Sequence, residues 1–404
     1  MDFHRPSSKE FLALLLAVLL LQIGVGVVSV AASSAEWPMF RFNLEHTGTT
    51  SEAVAPPLSL KWSYTTSGAV LSSPAVSGGI VFIGSYDKNV YALNATTGTL
   101  KWSYTTGGAV ISSPAISGGI VYVGSYDKNV YGIDALTGKL KWNYTTGSNV
   151  YSSPAVSGGI VYIGSDDDQV YALDALTGSL KWNYATGGDI RSSPAISGGV
   201  VYIGSYDSKI YALDALTGTL KWNYGTGSAV RSSPAISRGI VFIGSDDKNV
   251  YALNATTGAL KWSYTTGGEV KSSPAVSSGI MYVGSYDRNV YALDAATGAL
   301  KWNYTTGSNV YSSPAVSGGI VIVGSYDKNL YAFNASTGTL KWSYTLGSCI
   351  SYSSPAVSRG IVCIGSDDYK VYAFARQPVP EYVWAVTEAL DRSEAASQRT
   401  AELD

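Results

Sequence analysis

Histidine and cysteine are both scarce in this sequence. The 404 residues include two histidines and two cysteines. One of the histidines, His4, lies in the N-terminal segment, which leaves His46 for the rest of the chain. Histidine-based metal sites and catalytic triads need more of these side chains than the chain supplies. We therefore predict no metal site and no catalytic residues.

The two cysteines, Cys349 and Cys363, are predicted to be free thiols. Cys363 occupies a strand position, whereas Cys349 lies in the loop before the neighbouring strand. If these strands pair, Cys363 falls several residues away from Cys349, and a disulfide requires a short Cα separation.

Charged side chains are also scarce, at 14% of residues, and the formal net charge is −2. No basic surface is therefore available to attract nucleic acid through its phosphates. Glycine (44), tyrosine (30) and tryptophan (10) are abundant, a composition typical of short aromatic-rich strands joined by tight turns. We predict an all-β fold without a nucleic-acid partner.

Residues 1–35 have the pattern of an export segment. Basic side chains precede an apolar run from Phe11 to Val28, and small residues follow the run. The pattern predicts either a signal peptide, cleaved after Ala31 or Ala35, or an uncleaved membrane anchor. Both place the remaining chain outside the cytoplasm, as a secreted, periplasmic or cell-surface protein. Membrane contact is expected only through an uncleaved N-terminus.

A repeat of forty residues runs through most of the chain. Prolines keep this step, with one inserted residue before the eighth, Pro355. Repeats of about this length are typical of β-propeller blades and of solenoids. The clearest marker is a tryptophan in every unit, at Trp62, Trp102, Trp142, Trp182, Trp222, Trp262, Trp302 and Trp342.

One unit, Ser72–Tyr104, reads as four short strands separated by turn signals, which is the sequence form of a propeller blade. Strand A is predicted at Ser72–Val76, B at Ile80–Gly84, C at Val90–Asn94 and D at Leu100–Tyr104. The proline in strand A fits an edge strand, because a proline cannot donate a ladder hydrogen bond. The innermost strand of a blade is such an edge and lines the central channel.

The two ends of the repeat region complement each other. The first recognisable element, Leu60–Tyr64, is a D strand, and the last unit supplies strands A, B and C and ends at Phe374. Pairing these elements would close a ring with no open blade. We predict an eight-bladed β-propeller of four-stranded antiparallel blades over residues 60–374. A lead-in at 36–59 precedes it, and a polar tail at 375–404, disordered or helical, follows.

The stretch Ala92–Trp102 resembles the tryptophan-docking motif of the pyrroloquinoline-quinone (PQQ) repeat propellers. Seven units carry the motif, and Gly132 departs from its leading alanine. The segment Trp37–Gly48 also resembles the lead-in that often precedes such propellers. The resemblance implies that the eight repeated tryptophans are structural docking residues.

This resemblance implies two kinds of function. Quinoprotein dehydrogenases of the family hold PQQ and calcium on the ring axis and carry long inserted loops, whereas the propeller subunit of the outer-membrane barrel-assembly machinery binds proteins. Because the loops here are short and uniform, we predict a monomeric, non-enzymatic binding or scaffold protein without a cofactor. Its protein or small-ligand partner would bind one face of the propeller. A PQQ-dependent dehydrogenase and a structural cell-surface protein are the alternatives.

An aspartate recurs in every loop between strands B and C, from Asp87 to Asp368. Because every unit carries it, we predict that this aspartate bonds backbone amides of the loop and sets the turn. The denser run Asp166–Asp168 lacks the ligand spacing and the glycine of a calcium loop. We predict a solvated charged loop there.

Variation among the units is concentrated in the loop between strands D and A. The residue directly before each Ser-Ser-Pro changes from unit to unit, and so does the residue two positions earlier. In a propeller the D-to-A and B-to-C loops share one face, around the channel mouth. Neutral drift at exposed positions would give such variation, and so would a binding site. We predict a ligand- or partner-binding rim formed by Tyr151, Asp189, Arg191, Arg231, Glu269, Lys271, Tyr311 and Tyr352.

Overall fold

The computed structural model describes residues 36–376, in which the regular elements are 33 β-strands. The predicted signal peptide or anchor and the tail beyond residue 376 lie outside the described residues. In the described range, no helix has the length and hydropathy needed to cross a bilayer.

Thirty-two of the strands form eight blades, numbered in chain order, each with four strands that we label A to D from the channel outwards. The remaining strand, Thr49–Thr50 of the lead-in, pairs parallel with strand A of blade 7. The A strands are Ala75–Ser77, Ala115–Ser117, Ala155–Ser157, Ala195–Ser197, Ala235–Ser237, Ala275–Ser277, Ala315–Ser317 and Ala356–Ser358. The B strands are Ile80–Gly84, Ile120–Gly124, Ile160–Gly164, Val200–Gly204, Ile240–Gly244, Ile280–Gly284, Ile320–Gly324 and Ile361–Ser366. The C strands are Asn89–Asn94, Asn129–Asp134, Gln169–Asp174, Lys209–Asp214, Asn249–Asn254, Asn289–Asp294, Asn329–Asn334 and Lys370–Arg376. The D strands are Leu100–Thr105, Leu140–Thr145, Leu180–Ala185, Leu220–Gly225, Leu260–Thr265, Leu300–Thr305, Leu340–Thr345 and, for blade 8, Leu58–Thr65.

The ring closes as the sequence predicts. Strand D of blade 8 comes from the start of the repeat region and pairs antiparallel with strand C at its end, with Trp62 opposite Ala373 and Tyr64 opposite Val371. Each blade therefore has all four of its strands. The closure ties residues more than 300 positions apart into one sheet, and leaves no unpaired blade edge at the seam.

The A strands are shorter than the sequence pattern predicts. Strand A of blade 1 begins at Ala75 and not at Ser72. Pro74 has no N–H to donate, and the N–H of Ser73 donates to the hydroxyl of Ser113 in blade 2, at 3.0 Å. The serines that precede each strand A thus serve contacts around the channel instead of the ladder of their own blade.

The core lies between neighbouring blades, because strands B and C are buried on both faces. One interface shows the packing. The indole Nε1 of Trp142 in blade 2 donates to the carbonyl of Ala175 in blade 3 at 3.0 Å, and the hydroxyl of Tyr122 donates to the same carbonyl at 3.1 Å. A Cβ at Gly178 would lie 2.6 Å from the ring of Trp142, so glycine is required where the indole lies on the C-to-D turn.

The lead-in runs inside the channel and pairs with the open edges of the A strands. Trp37 exchanges two backbone hydrogen bonds with Val76 in blade 1, of 2.9 and 2.7 Å. Further carbonyls of the lead-in accept the N–H groups of Ile116, Ile196, Ile236, Val276 and Val316, in blades 2, 4, 5, 6 and 7. The inner edge of each A strand would otherwise leave backbone donors unpaired. The lead-in therefore fills one end of the channel.

Two ionisable side chains of the lead-in are buried in this plug. Arg41 is 2% exposed, and its guanidinium donates to the carbonyls of Pro274, at 2.8 Å, and Pro314. His46 is 1% exposed. Burial, with the charge of Arg41 nearby, lowers the pKa of His46 to about 3, so its imidazole is neutral at pH 7.

The two thiols are free, as the sequence predicts. Cys363 is buried in strand B of blade 8, opposite Ala356. Cys349 lies in the D-to-A loop of the same blade, where its Sγ donates to a carboxylate oxygen of Asp367 at 3.0 Å.

Candidate functional site

The open end of the channel is encircled by a closed ring of serine hydrogen bonds. In every blade, the N–H of the serine directly before the proline donates to the hydroxyl oxygen of the equivalent serine in the next blade, at 2.9–3.0 Å. The ring consists of Ser73, Ser113, Ser153, Ser193, Ser233, Ser273, Ser313 and Ser354. Its last bond joins Ser354 back to Ser73. These links fix the diameter of the channel mouth.

In seven blades the first serine of Ser-Ser-Pro accepts a hydrogen bond within its own blade, whereas the hydroxyl of Ser152 in blade 3 has no partner among the described residues. The hydroxyl of Ser192 accepts the N–H of Gly204, at the end of strand B of its own blade, at 3.0 Å. The repeated Ser-Ser-Pro is the sequence signal for both contacts, although the period of the repeat does not by itself say which blade each serine contacts. Strand A is therefore anchored within its blade and to the next one.

Above the serine ring the rim residues surround a funnel with a volume of about 90 Å³. Phe40 of the lead-in and Tyr206 of a B-to-C loop also line it. The D-to-A positions that line the funnel are Leu71, Ile111, Tyr151, Arg191, Arg231, Lys271, Tyr311 and Tyr352. The other two predicted rim residues, Asp189 and Glu269, do not line the funnel but contact its cations.

Each cation of the rim lies beside carboxylates. In Arg191, Nη2 is 3.1 Å from Oδ2 of Asp166, and Nε donates to Oδ1 of the same residue at 3.1 Å. Arg191 Nη2 also lies 3.5 Å from Asp189. The ammonium of Lys271 pairs with Glu269. The positive charge on this side of the mouth is therefore largely neutralised within the protein.

Arg231 is different, because it has an ion pair without a hydrogen bond. Its Nε lies 2.8 Å from Oδ2 of Asp246, but the angle is unsuitable, and neither Arg231 Nε nor Asp246 Oδ1 has a hydrogen-bond partner among the described residues. Asp246 is 7% exposed, and burial raises the pKa of its carboxyl against the lowering effect of Arg231. This pair retains unused hydrogen-bonding capacity at the wall of the funnel.

Tyrosines and cations form a nearly continuous belt around the mouth. The guanidinium of Arg191 lies 4.3 Å from the ring centre of Tyr151 and 5.0 Å from that of Tyr206. The guanidinium of Arg231 also lies over Tyr206, 4.8 Å from its ring centre. The rings of Tyr311 and Tyr352 are 4.3 Å apart. Such cation–π and aromatic contacts hold the side chains in place through their flat faces, without using N–H donors or hydroxyl groups.

Three members of this site escape the sequence prediction. The prediction of a solvated loop is wrong for Asp166, because its side chain is 7% exposed and forms an ion pair with Arg191. Asp246 and Tyr206 occupy the equivalent position in their own B-to-C loops. Some units have tyrosine at that position and others aspartate. This variation is the sequence signal from which all three residues could have been predicted. The neighbouring aspartate of each loop is structural, as predicted: Asp287 accepts the N–H of Asn289 at 2.9 Å and that of Gly267 at 2.6 Å.

A family model described as outer membrane protein assembly factor BamB matches the sequence in three overlapping stretches, residues 52–151, 145–271 and 247–378. Together these stretches run through nearly all of the propeller. The chain belongs to this family. No curated protein matches the sequence.

Solved structures share the fold of this propeller. BamB from Moraxella catarrhalis superposes with a TM-score of 0.69 at 19% identity, covering 79% of this chain and 99% of that one. Quinohemoprotein alcohol dehydrogenase from Comamonas testosteroni gives a TM-score of 0.76 at 17% identity, with 87% and 82% covered. The computationally designed Ika8 protein gives 0.70 at 22% identity, with 77% and 98% covered. At these identities the likeness establishes the fold alone.

The residues at the mouth of the propeller do not match a site for PQQ and calcium. Calcium takes six to eight oxygen ligands, whereas the carboxylates of Asp166, Asp189 and Asp246 already face arginines. Within residues 36–376, no group of three or more histidine, cysteine, aspartate or glutamate side chains is placed to hold a metal ion. The funnel volume of about 90 Å³ is also below the roughly 300 Å³ at which pockets for drug-sized ligands begin.

Proposed function

We propose that this protein is a non-enzymatic, extracytoplasmic binding or scaffold protein that holds its partner on the face with the D-to-A and B-to-C loops. The belt of tyrosine and arginine at the channel mouth carries the proposal. These residue types supply most of the binding energy in protein interfaces, because they combine a large apolar surface with polar tips. Membership of the BamB family supports a protein partner.

The asymmetry of the rim supports a specific partner rather than a general surface. The cations lie in blades 4, 5 and 6, at Arg191, Arg231 and Lys271, whereas blades 1 and 2 place Leu71 and Ile111 at the same position. Blades 1 to 7 have strands of the same lengths around these positions. A partner can therefore bind in one rotational orientation only, although the ring itself is nearly symmetric.

Crosslinking from single positions tests which face binds. A photoreactive amino acid in place of Tyr352, on the rim, is compared with one in place of Thr96, in a C-to-D turn on the opposite face. Both positions are exposed. In envelope extracts of the source organism we expect a discrete adduct from position 352, lost when Arg191 and Arg231 are both changed to Gln. Equal adducts from both positions, or an adduct insensitive to the double change, would overturn the proposal.

A PQQ-dependent dehydrogenase is the second candidate, because the fold is shared with a solved quinohemoprotein alcohol dehydrogenase. Calorimetric titration with PQQ, with and without calcium, separates the two candidates. We expect no calcium-dependent binding at micromolar PQQ. Tight, calcium-dependent binding would instead support an oxidoreductase, and alcohols and sugars would then be assayed as substrates.

A further inference from the structure

The funnel has an apolar side and a hydrogen-bonding side that face each other. Leu71 and Ile111 lie in blades 1 and 2, and Arg231 and Lys271 lie across the eight-bladed ring from them, in blades 5 and 6. Phe40 of the lead-in also lines the cavity. A ligand that fits this cavity has to present an apolar body to one wall and a hydrogen-bond acceptor to the other.

Arg231 offers the strongest unused donors on the polar wall. A guanidinium carries five N–H donors. The Nε of Arg231 is engaged in the ion pair with Asp246, at 2.8 Å, which leaves the four N–H groups on its two Nη atoms without a hydrogen-bond acceptor among residues 36–376. Its side chain is 32% exposed and is held in place by the ring of Tyr206. Arg191, in contrast, already uses Nε and Nη2 on carboxylates. A carboxylate is the acceptor that best matches the two Nη groups of Arg231, because its two oxygens can accept a pair of hydrogen bonds from them.

The serine ring adds weaker donors at the narrow end of the funnel. Each hydroxyl oxygen accepts an N–H from the preceding blade, yet within residues 36–376 its own hydrogen has no protein acceptor at hydrogen-bond distance. The eight serines line the funnel. Their hydroxyl hydrogens are therefore available to solvent or to a ligand oxygen.

Size and charge restrict the ligand further. A volume of about 90 Å³ corresponds to roughly six to nine water molecules at 10–15 Å³ each, so the funnel encloses at most about nine non-hydrogen atoms of a ligand. Three cations at the mouth face four carboxylates, those of Asp166, Asp189, Asp246 and Glu269. Because this balance is slightly negative, each added negative charge is repelled. A polyanion is therefore excluded, whereas the repulsion of a single carboxylate can be offset by paired hydrogen bonds to the Nη groups of Arg231.

We propose that the funnel binds a small amphipathic monocarboxylate, with its carboxylate on Arg231 and its apolar body against Leu71, Ile111 and Phe40. This inference rests on the proposed function, because it assigns a ligand class to the same open end of the channel. A free acid and the C-terminus of a partner chain both present such a carboxylate next to an apolar body.

Calorimetric titration of the purified chain with phenylacetate tests the assignment. We expect a Kd of about 1 mM or below. Phenylacetamide, which has the same shape without the charge, and acetate, which has the charge without the apolar body, should each bind at least about tenfold more weakly. Equal affinities for phenylacetate and phenylacetamide would overturn the proposal.

Three variants locate the site. Arg231→Gln should weaken phenylacetate about tenfold or more, and Leu71→Asn should weaken phenylacetate while leaving acetate unchanged. Arg238→Gln, in the A-to-B turn of blade 5 on the opposite face, is the matched control and should bind like the parent. Thermal unfolding confirms that each variant is folded. Unchanged binding in folded Arg231→Gln would show that the carboxylate lies elsewhere.

The two proposals fail separately. If position 352 still gives an adduct that depends on the rim arginines while phenylacetate does not bind, the partner-binding face stands and the monocarboxylate site is wrong. If phenylacetate binds through Arg231 but no adduct forms on the rim, the ligand site stands and the partner proposal is wrong.

Discussion

The two ends of the channel differ in what their side chains do. At one end the lead-in supplies backbone pairing to six A strands and buries Trp37, Arg41 and His46. At the other end the rim residues pack on each other and line the funnel, most of them partly exposed. The closed end thus satisfies the unpaired edges of the A strands, and the open end is free to vary between blades. The comparison indicates that substitutions at the first end cost stability and those at the second change binding.

The largest effect is expected from Trp37→Ala at the closed end. Trp37 is 2% exposed, and its ring lies 5.2 Å from that of Phe42. Removing a buried indole leaves a cavity and should lower the free energy of unfolding by about 3–5 kcal/mol. Urea denaturation measures it, with Tyr352→Ala at the open end as the control, for which we expect a loss of about 1 kcal/mol or less. Similar losses for both variants would contradict the division between the two ends.

Ser193→Ala tests the serine ring at the narrow end of the funnel. The hydroxyl of Ser193 accepts the buried N–H of Ser153 at 3.0 Å, and an unpaired buried N–H costs about 1–3 kcal/mol. We expect a loss of that size in the free energy of unfolding. Ser103→Ala, on the exposed side of a D strand, should change it by less than about 0.5 kcal/mol. A neutral Ser193→Ala would mean that water replaces the lost acceptor.

His46 should make stability depend on pH. Its pKa is lowered to about 3 in the folded chain, against about 6.5 when unfolded. Below pH 6.5 the unfolded chain therefore binds a proton that the folded chain does not, and stability falls as the pH falls. The loss approaches about 1.4 kcal/mol per pH unit between pH 5.5 and 4.5.

The measurement is the slope of unfolding free energy against pH, in the parent and in His46→Gln. Carboxylates contribute to both slopes, so the difference between the two chains isolates His46. Equal slopes would show that the imidazole is protonated within the plug.

The smallest effect is expected at the rim, from Asp189→Asn. Asp189 is 38% exposed and lies 3.5 Å from Arg191, so the loss should be below about 0.5 kcal/mol. Asp166→Asn removes a carboxylate that is 7% exposed from the same guanidinium, and should cost more, about 1–3 kcal/mol. Chemical denaturation of the two variants compares them. An equal cost would mean that burial does not distinguish the two carboxylates.

The rim was predicted from differences between repeats. Tyr151, Arg191 and Lys271 occupy one position of the repeat, and a ring that repeats its backbone must bring that position together around its axis. The same reasoning missed Asp166 and Asp246, because a sequence period gives the loop but not the direction of its side chains. Whether these residues bind a partner stays a prediction.

The sequence by itself determined the number of blades, the four strands of each and the closure of the ring. The reason is that strand and turn signals are local and recur every forty residues. Tertiary structure decided the path of the lead-in, the serine ring and the ion pairs of the rim. Arg41, for example, contacts the carbonyl of Pro274, 233 positions away. Such contacts depend on the radius of the closed channel, which sets the distances between A strands that no local pattern encodes.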